Sequence, residues 1–408
     1  MDFALTANQE SIRDAVAKIC ARFDDAYWLK KDKEGGFPVD FHKAFAQAGW
    51  LGICIPEEYG GSGLGIVDAA IMMRTISESG AGMSGASAVH LNVFGLNPVV
   101  VFGTKEQCKR MLPPIVSGTE RACFAVTEPN TGLNTTQLKT RAVRSGDKYV
   151  VNGQKVWIST AQVAEKILLL ARTTPLDEVK KPTHGLSLFY TDFDRSRITA
   201  REIEKMGRKA VDSNELFIEN FEIPVDDRLG EEGRGFEYIL HGMNPERILI
   251  AAEAVGLGMV ALSRASAYAK ERIVFNRPIG KNQAIQHPLA LLIIAEDNDG
   301  VQSEHVHMHG RGAGHAGTGF GDRPHHDRGI GDAEARAAIF LGDADAEPAG
   351  IRQRLVEVGR ETALLVLLQP IGIVEARADP GHGVADRFLV GGECKIHRIS
   401  PAGCAALG

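Results

Sequence analysis

The chain has 408 residues, of which 44% are hydrophobic and 24% are charged, and its formal net charge is −6. This is the composition of a soluble globular protein, and the length exceeds what one small hydrophobic core can organise, so we expect two or three domains. The negative charge excludes the extended basic surface of a nucleic-acid-binding protein, and no run of eighteen apolar residues is expected to span a bilayer.

The first residues, MDFALTANQESIRDAV, include acidic side chains and contain no apolar signal core, so export is not expected. Six cysteines show neither close pairing nor metal-ligand spacing, which suits a reducing compartment. We therefore expect an enzyme that acts on a small molecule in the cytoplasm of a bacterium, or in the mitochondrial matrix if the source is eukaryotic.

Residues 1–120 are predicted to form a helical domain. Thr6 with Gln9, and Thr104 with Gln107, have the spacing of a capping box, in which each side chain of the pair satisfies a free backbone amide of the other. The glycine cluster in EEYGGSGLG fails as a dinucleotide fingerprint because Ile66 stands where a third glycine is needed. We interpret it as a turn.

Residues 121–232 have the pattern of a compact antiparallel β sandwich or barrel. In TRAVRSGDKYVVNGQKVWIS, β-branched and aromatic residues flank Ser-Gly-Asp at 145–147, which predicts a hairpin. The segments KILLLART, HGLSLFYTDF and NELFIENFEIP follow as further strands.

Residues 233–297 return to a helical pattern and are predicted to begin a C-terminal helical bundle. After GFEYILHGM, a second helical run extends from Pro245 to Phe275. One apolar stripe along this run has helical spacing and comprises Ile248, Ala252, Val255, Met259 and Leu262.

Residues 298–408 have a different character, with one lysine, ten arginines and a glycine-rich segment that holds six histidines without any regular period. We interpret them first as a reading-frame error or other sequence artefact, then as a disordered tail, and last as a metal site. His305, His307 and His309 lie among residues that would not hold metal ligands in place, so no metal is expected.

Two segments, CFAVTEPNTGLNTTQLKTRA at 123–142 and VNGQKVWISTA at 151–161, carry residue types that suit a flat, electron-accepting ring. Such a ring needs an apolar wall and hydroxyl donors at its polar edge. Strand alternation places Phe124 and Val126 on one face, and Trp157 and Ser159 on another. By composition alone, the favoured interpretation of Trp157 is a core tryptophan beside a satisfied hydroxyl.

These two segments, with EEYGGSGLG before them and KMGRKAVDSNELFIENFEIP and ERIVFNRPIGKNQAIQHPLA after them, resemble the acyl-CoA dehydrogenase family of FAD enzymes. The five motifs occur in the family's order, from near the N-terminus to about residue 290. The resemblance implies an α+β fold with an N-terminal helical domain, a middle β domain and a C-terminal four-helix bundle.

The resemblance also implies roles for individual residues. Phe124, Val126, Thr127 and the stretch to Leu133 would contact the flavin and the thioester end of the substrate. The other side of the flavin would be lined by Trp157, Ile158 and Ser159, with the Ser159 hydroxyl near N5. FAD of a neighbouring subunit would meet Arg272, Phe275 and Gln283, with Arg272 facing the pyrophosphate. The family is usually tetrameric or dimeric and passes its electrons to an electron-transferring flavoprotein.

Two features depart from the family pattern. Gly132-Leu133-Asn134 replaces the usual Gly-Ser-Asp, so a hydroxyl expected to contact CoA is missing. The last helices of the bundle have no recognisable counterpart, and GECKIHRISP at 392–401 only faintly resembles the family's final segment. The bundle is therefore expected to be incomplete.

Glu246 admits two interpretations. In the structural one, Asn244 caps a helix, Pro245 takes its first position, and the helix dipole favours Glu246 in the first turn by about 0.3–1 kcal/mol. Glu253, one heptad further on the same face, is then an equal candidate for any chemical task.

In the chemical interpretation, an apolar surrounding raises the pKa of Glu246 so that its carboxylate can take a proton from the carbon α to a thioester. The family places this base either near the C-terminus or in a segment similar to ERILIA, and this chain has the second form. Pro401 occupies the alternative position if HRISP is the family's last segment. Arg247 would then hold the substrate or its own helix, and Asn244 replaces an aspartate near the substrate.

We therefore predict an FAD-dependent acyl-CoA dehydrogenase of fatty acid metabolism, with Glu246 as base. A flavin oxidase or monooxygenase on the same scaffold is the alternative enzyme. An incompletely folded, inactive family member is the alternative without catalysis.

Overall fold

The computed structural model describes residues 5–292. Within this range one compact unit comprises residues 5–260 and another comprises residues 261–292. The predictions for residues 298–408, including the histidine segment and Pro401, lie outside the described residues.

The first 120 residues are helical, as predicted. Both capping boxes are present: the Gln9 amide donates to Thr6 Oγ1 over 3.3 Å, and the Gln107 amide donates to Thr104 Oγ1 over 3.2 Å. The helices are α1 (Ala7–Cys20), α2 (Asp25–Glu34), α3 (Val39–Gln47), α4 (Ile66–Ile76), α5 (Gly82–Phe94), α6 (Asn97–Phe102) and α7 (Lys105–Val116). The glycine cluster before α4 is a tight turn, in which the Gly63 amide donates to the Ile55 carbonyl.

The next region is a sheet of eight strands within the described residues, in the order β6-β7-β3-β2-β4-β5-β8, with β1 against β4. The strands are β1 (Ala122–Ala125), β2 (Arg141–Ser145), β3 (Lys148–Ser159), β4 (Lys166–Arg172), β5 (Leu186–Asp192), β6 (Ile198–Glu202), β7 (Ser213–Pro224) and β8 (Arg228–Leu229). The predicted hairpin joins β2 to β3, with Ser145 opposite Lys148. The sheet is mixed rather than wholly antiparallel, because β1 and β2 each pair with β4 in parallel.

Both faces of the sheet are covered. Ile167 and Leu169 of β4 pack into one apolar cluster, and Leu168 and Leu170 pack into a second one that also contains side chains of α7. A strand buried on both faces needs a continuous apolar sequence, which explains the run KILLLA.

One helix, α8 (Gly235–Glu271), replaces the two helical runs expected after residue 235. Asn244 and Pro245 therefore lie in its interior, and the predicted N-cap at Asn244 is wrong. The local sequence predicts a helix start because proline suits the first turn of a helix, where its missing amide needs no partner. In this protein a side chain from α6 donates in place of that amide, so the helix continues through Pro245.

The helical run also ends earlier than predicted. After Glu271 the chain forms a two-stranded hairpin of β9 (Ile273–Val274) and β10 (Arg277–Pro278), and residues 283–292 are helical. The two turn residues, Phe275 and Asn276, have φ of +50° and +62°. Such left-handed pairs match the twist of a two-residue hairpin but cannot continue a helix.

By length and composition alone, two helical stretches of the described chain are apolar enough to cross a membrane, Ile66–Phe102 and Gly235–Glu271. The expectation that no such stretch exists is therefore wrong on those two criteria. They are weak evidence of a membrane span, since a core helix passes the same test, and 72% of the apolar window in Ile66–Phe102 is buried within the protein.

Candidate active site

Three segments of the first unit meet at the end of β3. The Val156 amide donates to the Thr127 carbonyl over 2.9 Å, which joins β3 to the loop at 126–140. The Ser159 hydroxyl accepts a 3.1 Å hydrogen bond from Arg208 Nη2, which joins β3 to the loop between β6 and β7. The two motif segments that were singled out in the sequence are therefore neighbours in space.

Trp157 lies at an irregularity of β3, where the pairing with β7 shifts between Lys155 and Ile158. Its φ is +62°, a left-handed value that is rare for a bulky residue, and its side chain is 60% exposed. Ile158 beside it is buried in the sheet core, while Ser159 is partly buried. The bulge thus turns the indole outward, and the core-tryptophan interpretation of Trp157 is wrong.

Strand β1 supplies the adjoining wall. Phe124 is partly buried, and its ring centroid lies 5.3 Å from that of Phe94 on α5. Val126 lies on the same face, as strand alternation predicted, but its side chain is buried. Thr127 is partly buried, and Leu133 is fully exposed.

A buried ion pair holds the loop at 126–140 in place. Lys155 Nζ lies 3.0 Å from Glu128 Oε1 and also donates to the carbonyls of Val126 and Leu170. The Glu128 carboxylate in turn accepts hydrogen bonds from the amides of Lys139 and Thr140. Burial lowers the pKa of Lys155 to about 8, against the opposing effect of Glu128.

Helix α8 approaches the N-terminal helices closely on either side of Glu246. A Cβ atom at Gly242 would lie 3.0 Å from the Phe94 carbonyl oxygen, and one at Gly256 would lie 2.3 Å from that of Arg74. Real Cβ atoms do not come as close as 2.3 Å, so position 256 requires glycine, and a Cβ at position 242 would be tightly packed against Phe94. The two contacts fix the face of α8 that carries Glu246 and Glu253.

Glu246 is the twelfth residue of α8 and is partly buried. Burial raises the pKa of its carboxyl; His90 and Arg247 oppose the rise, and Glu253 adds to it. The favourable dipole of a first turn does not reach a position three turns into a helix, so the structural explanation of Glu246 no longer applies.

Glu253 is distinguished from Glu246 by its surroundings. It is 0% exposed, and its Oε1 lies 3.0 Å from Nδ1 of His90 on α5. Oε2 is buried without a hydrogen-bond partner among the described residues. The two glutamates are therefore not equal candidates, since Glu253 is occupied by His90 and closed to solvent.

Arg247 and Asn244 contact each other. Nη1 of Arg247 donates to Asn244 Oδ1 over 2.6 Å, and both residues are exposed. Arg247 was expected to hold either the substrate or its own helix. This hydrogen bond is a contact within its own helix.

Arg272, Phe275 and Gln283 lie in the second unit, and all three are exposed. Arg272 follows the last residue of α8, Phe275 occupies the hairpin turn and is 94% exposed, and Gln283 lies at the start of the helical segment 283–292.

Comparison with known proteins identifies the chain. The acyl-CoA dehydrogenase N-terminal domain matches residues 6–119, the middle domain matches 123–221, and the C-terminal domain matches 233–298. The chain belongs to the acyl-CoA dehydrogenase family. It is an FAD-dependent oxidoreductase with the fold predicted from the sequence: an N-terminal helical domain, a middle sheet domain and a helical C-terminal region.

Individual relatives agree with this assignment. A probable acyl-CoA dehydrogenase of Bacillus subtilis is 36% identical over 292 residues, which cover 71% of this chain and 76% of the relative. A solved structure described under the electron transferring flavoprotein of Acidaminococcus fermentans is 32% identical with a TM-score of 0.71, covering 76% of this chain and 80% of its own. The structure of the prolyl acyl carrier protein oxidase AnaB is 29% identical with a TM-score of 0.68, and the match covers 74% of this chain and 80% of the AnaB chain.

The residues at the end of β3 fit the FAD of an acyl-CoA dehydrogenase. An outward indole at Trp157 offers an apolar face, and the Ser159 and Thr127 hydroxyls offer donors at its border. Large apolar side chains are exposed on all three segments that meet there, namely Leu133, Trp157 and Met206.

Four residues of this site were not anticipated: Glu128, Lys155, Arg208 and His90. A signal existed for Lys155, because strand alternation gives it the same parity as the buried Tyr149 and Val151. His90 likewise stands in the apolar run ASAVHLNVF. A polar residue at an inward position predicts a buried partner but does not identify it.

Proposed function

We propose that this acyl-CoA dehydrogenase uses Glu246 as the base that removes a proton from the α carbon of an acyl-CoA thioester. The electrons of that C–H bond form the new C=C bond as hydride leaves the β carbon, and the product is the 2-enoyl-CoA. FAD, when bound, accepts the hydride. The chain supplies the base, the orientation of the acyl group and the exclusion of water.

The observation that carries this proposal is the position of Glu246 within α8. A carboxylate that is partly buried three turns into a helix gains nothing from the helix dipole, and burial raises its pKa. A destabilised carboxylate is a stronger base, so the feature that costs stability is the one that proton abstraction requires. Glu253 supports the assignment by exclusion, since His90 occupies it.

The test compares Glu246→Gln with Glu253→Gln in flavin-loaded enzyme mixed anaerobically with a series of straight and branched acyl-CoA esters. We expect the rate at which the flavin absorbance bleaches to fall by about 10²–10⁴-fold in Glu246→Gln, the usual contribution of a general base. At alkaline pH Glu253→Gln should bleach as fast as the parent. If Glu246→Gln keeps the parent's rate, Glu246 is not the base.

We further propose a homo-oligomer, a tetramer or dimer, in which Arg272, Phe275 and Gln283 reach the FAD of a neighbouring subunit. The exposure of all three supports this, as does the left-handed φ of Phe275, an unfavourable conformation for a bulky residue. Phe275→Ala should release FAD on gel filtration, whereas Ile273→Ala on the same hairpin should retain it. Equal retention by the two variants would contradict the proposal.

Electron-transferring flavoprotein is the proposed acceptor. A second candidate activity is that of an oxidase, which the likeness to the prolyl acyl carrier protein oxidase AnaB favours. The two are separated by measuring peroxide. Reduced enzyme that stays reduced in air and is reoxidised by added electron-transferring flavoprotein is a dehydrogenase, and one that produces stoichiometric peroxide is an oxidase.

A further inference from the structure

Arg208 has a contact that the proposed reaction does not yet use. It lies in the loop between β6 and β7 with φ of +52°, a left-handed conformation that costs a non-glycine residue free energy. Its side chain extends to β3, where Nη2 donates to Ser159 Oγ over 3.1 Å.

The loop that carries Arg208 is anchored on both sides. Lys205 Nζ donates to the Val211 carbonyl and to Ser213 Oγ, and Asp212 Oδ2 accepts a 3.1 Å hydrogen bond from the Gln162 amide. These contacts hold the left-handed turn in place, so the guanidinium keeps a defined position over the end of β3.

The charges around Arg208 come from two elements. Burial lowers the pKa of Arg208, and the negative charge of Glu253 on α8 opposes that shift. Lys205 on the same loop has the same charge as Arg208. Burial is the largest cause that lowers the pKa of Lys205, and the charge of Arg208 is the second. A guanidinium stays protonated throughout the pH range of enzymes, so Arg208 is a permanent cation.

The direction of the hydrogen bond determines what Ser159 can do. A guanidinium only donates, so the Ser159 oxygen must be the acceptor, and its own hydrogen remains free for another acceptor. Among residues 5–292, Ser159 Oγ makes no second hydrogen bond in the structure. A hydroxyl that accepts from a cation is polarised and becomes a stronger donor.

We propose that Arg208 is a positioning residue that commits the Ser159 hydroxyl to donate toward the flavin edge. This rests on the proposed function as a flavin-dependent dehydrogenase and on the fit of FAD to the end of β3, where the Ser159 hydroxyl is a donor. A polarised donor at that edge stabilises the negative charge that the ring system gains on reduction. Arg208 thereby makes the bound flavin easier to reduce without contacting the substrate.

The experiment measures the midpoint potential and the visible spectrum of the flavin in substrate-free holoenzyme, for Arg208→Gln, Arg208→Lys, Ser159→Ala and the double variant Arg208→Gln/Ser159→Ala. We expect Arg208→Gln to lower the potential and to slow flavin reduction by acyl-CoA about tenfold, with little change in the substrate concentration for half-maximal rate. Arg208→Lys should recover part of both. In the Ser159→Ala background, Arg208→Gln should have no further effect.

Two results would overturn the proposal: an unchanged potential in Arg208→Gln, or an equal decrease with and without Ser159. If Arg208→Gln does not retain its flavin, Arg208→Lys replaces it in the test. The proposal then requires that Ser159→Ala lowers the midpoint potential more in the parent than in the Arg208→Lys background. The potential needs no acyl-CoA, so a parent enzyme that no acyl-CoA bleaches would contradict the proposed function and leave this measurement valid.

Discussion

The side-chain amide of Asn97 donates a 2.7 Å hydrogen bond to the backbone carbonyl of His241. In an α-helix that carbonyl accepts from the amide four residues later, and here this residue is Pro245, which has none. Asn97, on α6, replaces the missing donor. The helix therefore continues through Pro245 and places Glu246 in its interior.

Loss of this hydrogen bond should lower the free energy of unfolding most when residue 245 is proline. Asn97→Ala is expected to lower the free energy of unfolding by about 1 kcal/mol, a typical net hydrogen-bond contribution. In a Pro245→Ala background the amide of residue 245 can bond to His241, so the same substitution should cost less. Denaturant titrations of the four holoenzymes provide the comparison, and equal losses in both backgrounds would show that Asn97 acts elsewhere.

The rate of flavin reduction should depend on pH through Glu246. A base must be ionised, so the rate rises as pH increases through the pKa of Glu246, which burial has raised above the ordinary glutamate value. Glu253 raises that pKa further, whereas His90 and Arg247 lower it. Single-turnover pH profiles should therefore shift toward acid in Glu253→Gln and toward alkali in Arg247→Gln. Profiles that coincide with the parent's would rule out this electrostatic coupling.

Glu246→Gln should also stabilise the protein at neutral pH. Because the folded pKa is the higher one, ionisation favours the unfolded chain, and stability is lost as pH rises from about 4.3, the ordinary value, through the raised one. Glutamine carries no charge and avoids that loss. The denaturation midpoint of the Glu246→Gln variant should be higher than that of the parent at pH 8 and equal to it at pH 4. A midpoint below the parent's at pH 8 would mean that the ionised carboxylate makes a stabilising contact.

The pair formed by Lys155 and Glu128 should be costly to break from one side. Both side chains are buried, so Lys155→Met leaves an uncompensated carboxylate and is expected to lose about 3–5 kcal/mol of unfolding free energy. Lys155→Met/Glu128→Gln removes that charge and keeps one acceptor oxygen for either the Lys139 or the Thr140 amide, so it should recover part of the loss. A double variant less stable than the single one would place the cost in packing instead of charge.

Leu133 offers a test of CoA recognition. Its side chain is fully exposed, so Leu133→Ser and Leu133→Ala should both leave stability unchanged. If the serine hydroxyl contacts CoA, KM for an acyl-CoA should fall in Leu133→Ser and not in Leu133→Ala. Parallel kinetics of the two variants would indicate that the loop at 126–140 does not reach the CoA portion.

Local sequence chemistry was sufficient for much of the fold. The capping boxes at Thr6 and Thr104 and the hairpin turn at Gly146 act within four residues of their own backbone, so the relevant free energies can be assessed from the sequence. The family motifs extended this to the order of the domains and to FAD, because the same residues recur at the same spacing in proteins of known fold.

Tertiary structure decided what those short-range rules cannot reach. His241 obtains its donor from Asn97, 144 residues away, and Glu253 meets His90, 163 residues away. Read locally, Asn244-Pro245 predicts a helix start and the two glutamates are equivalent. Only the packing of α8 against α5 and α6 makes Pro245 tolerable, buries Glu253 against a histidine and leaves Glu246 partly open, because burial and hydrogen-bond partners depend on segments distant in the chain.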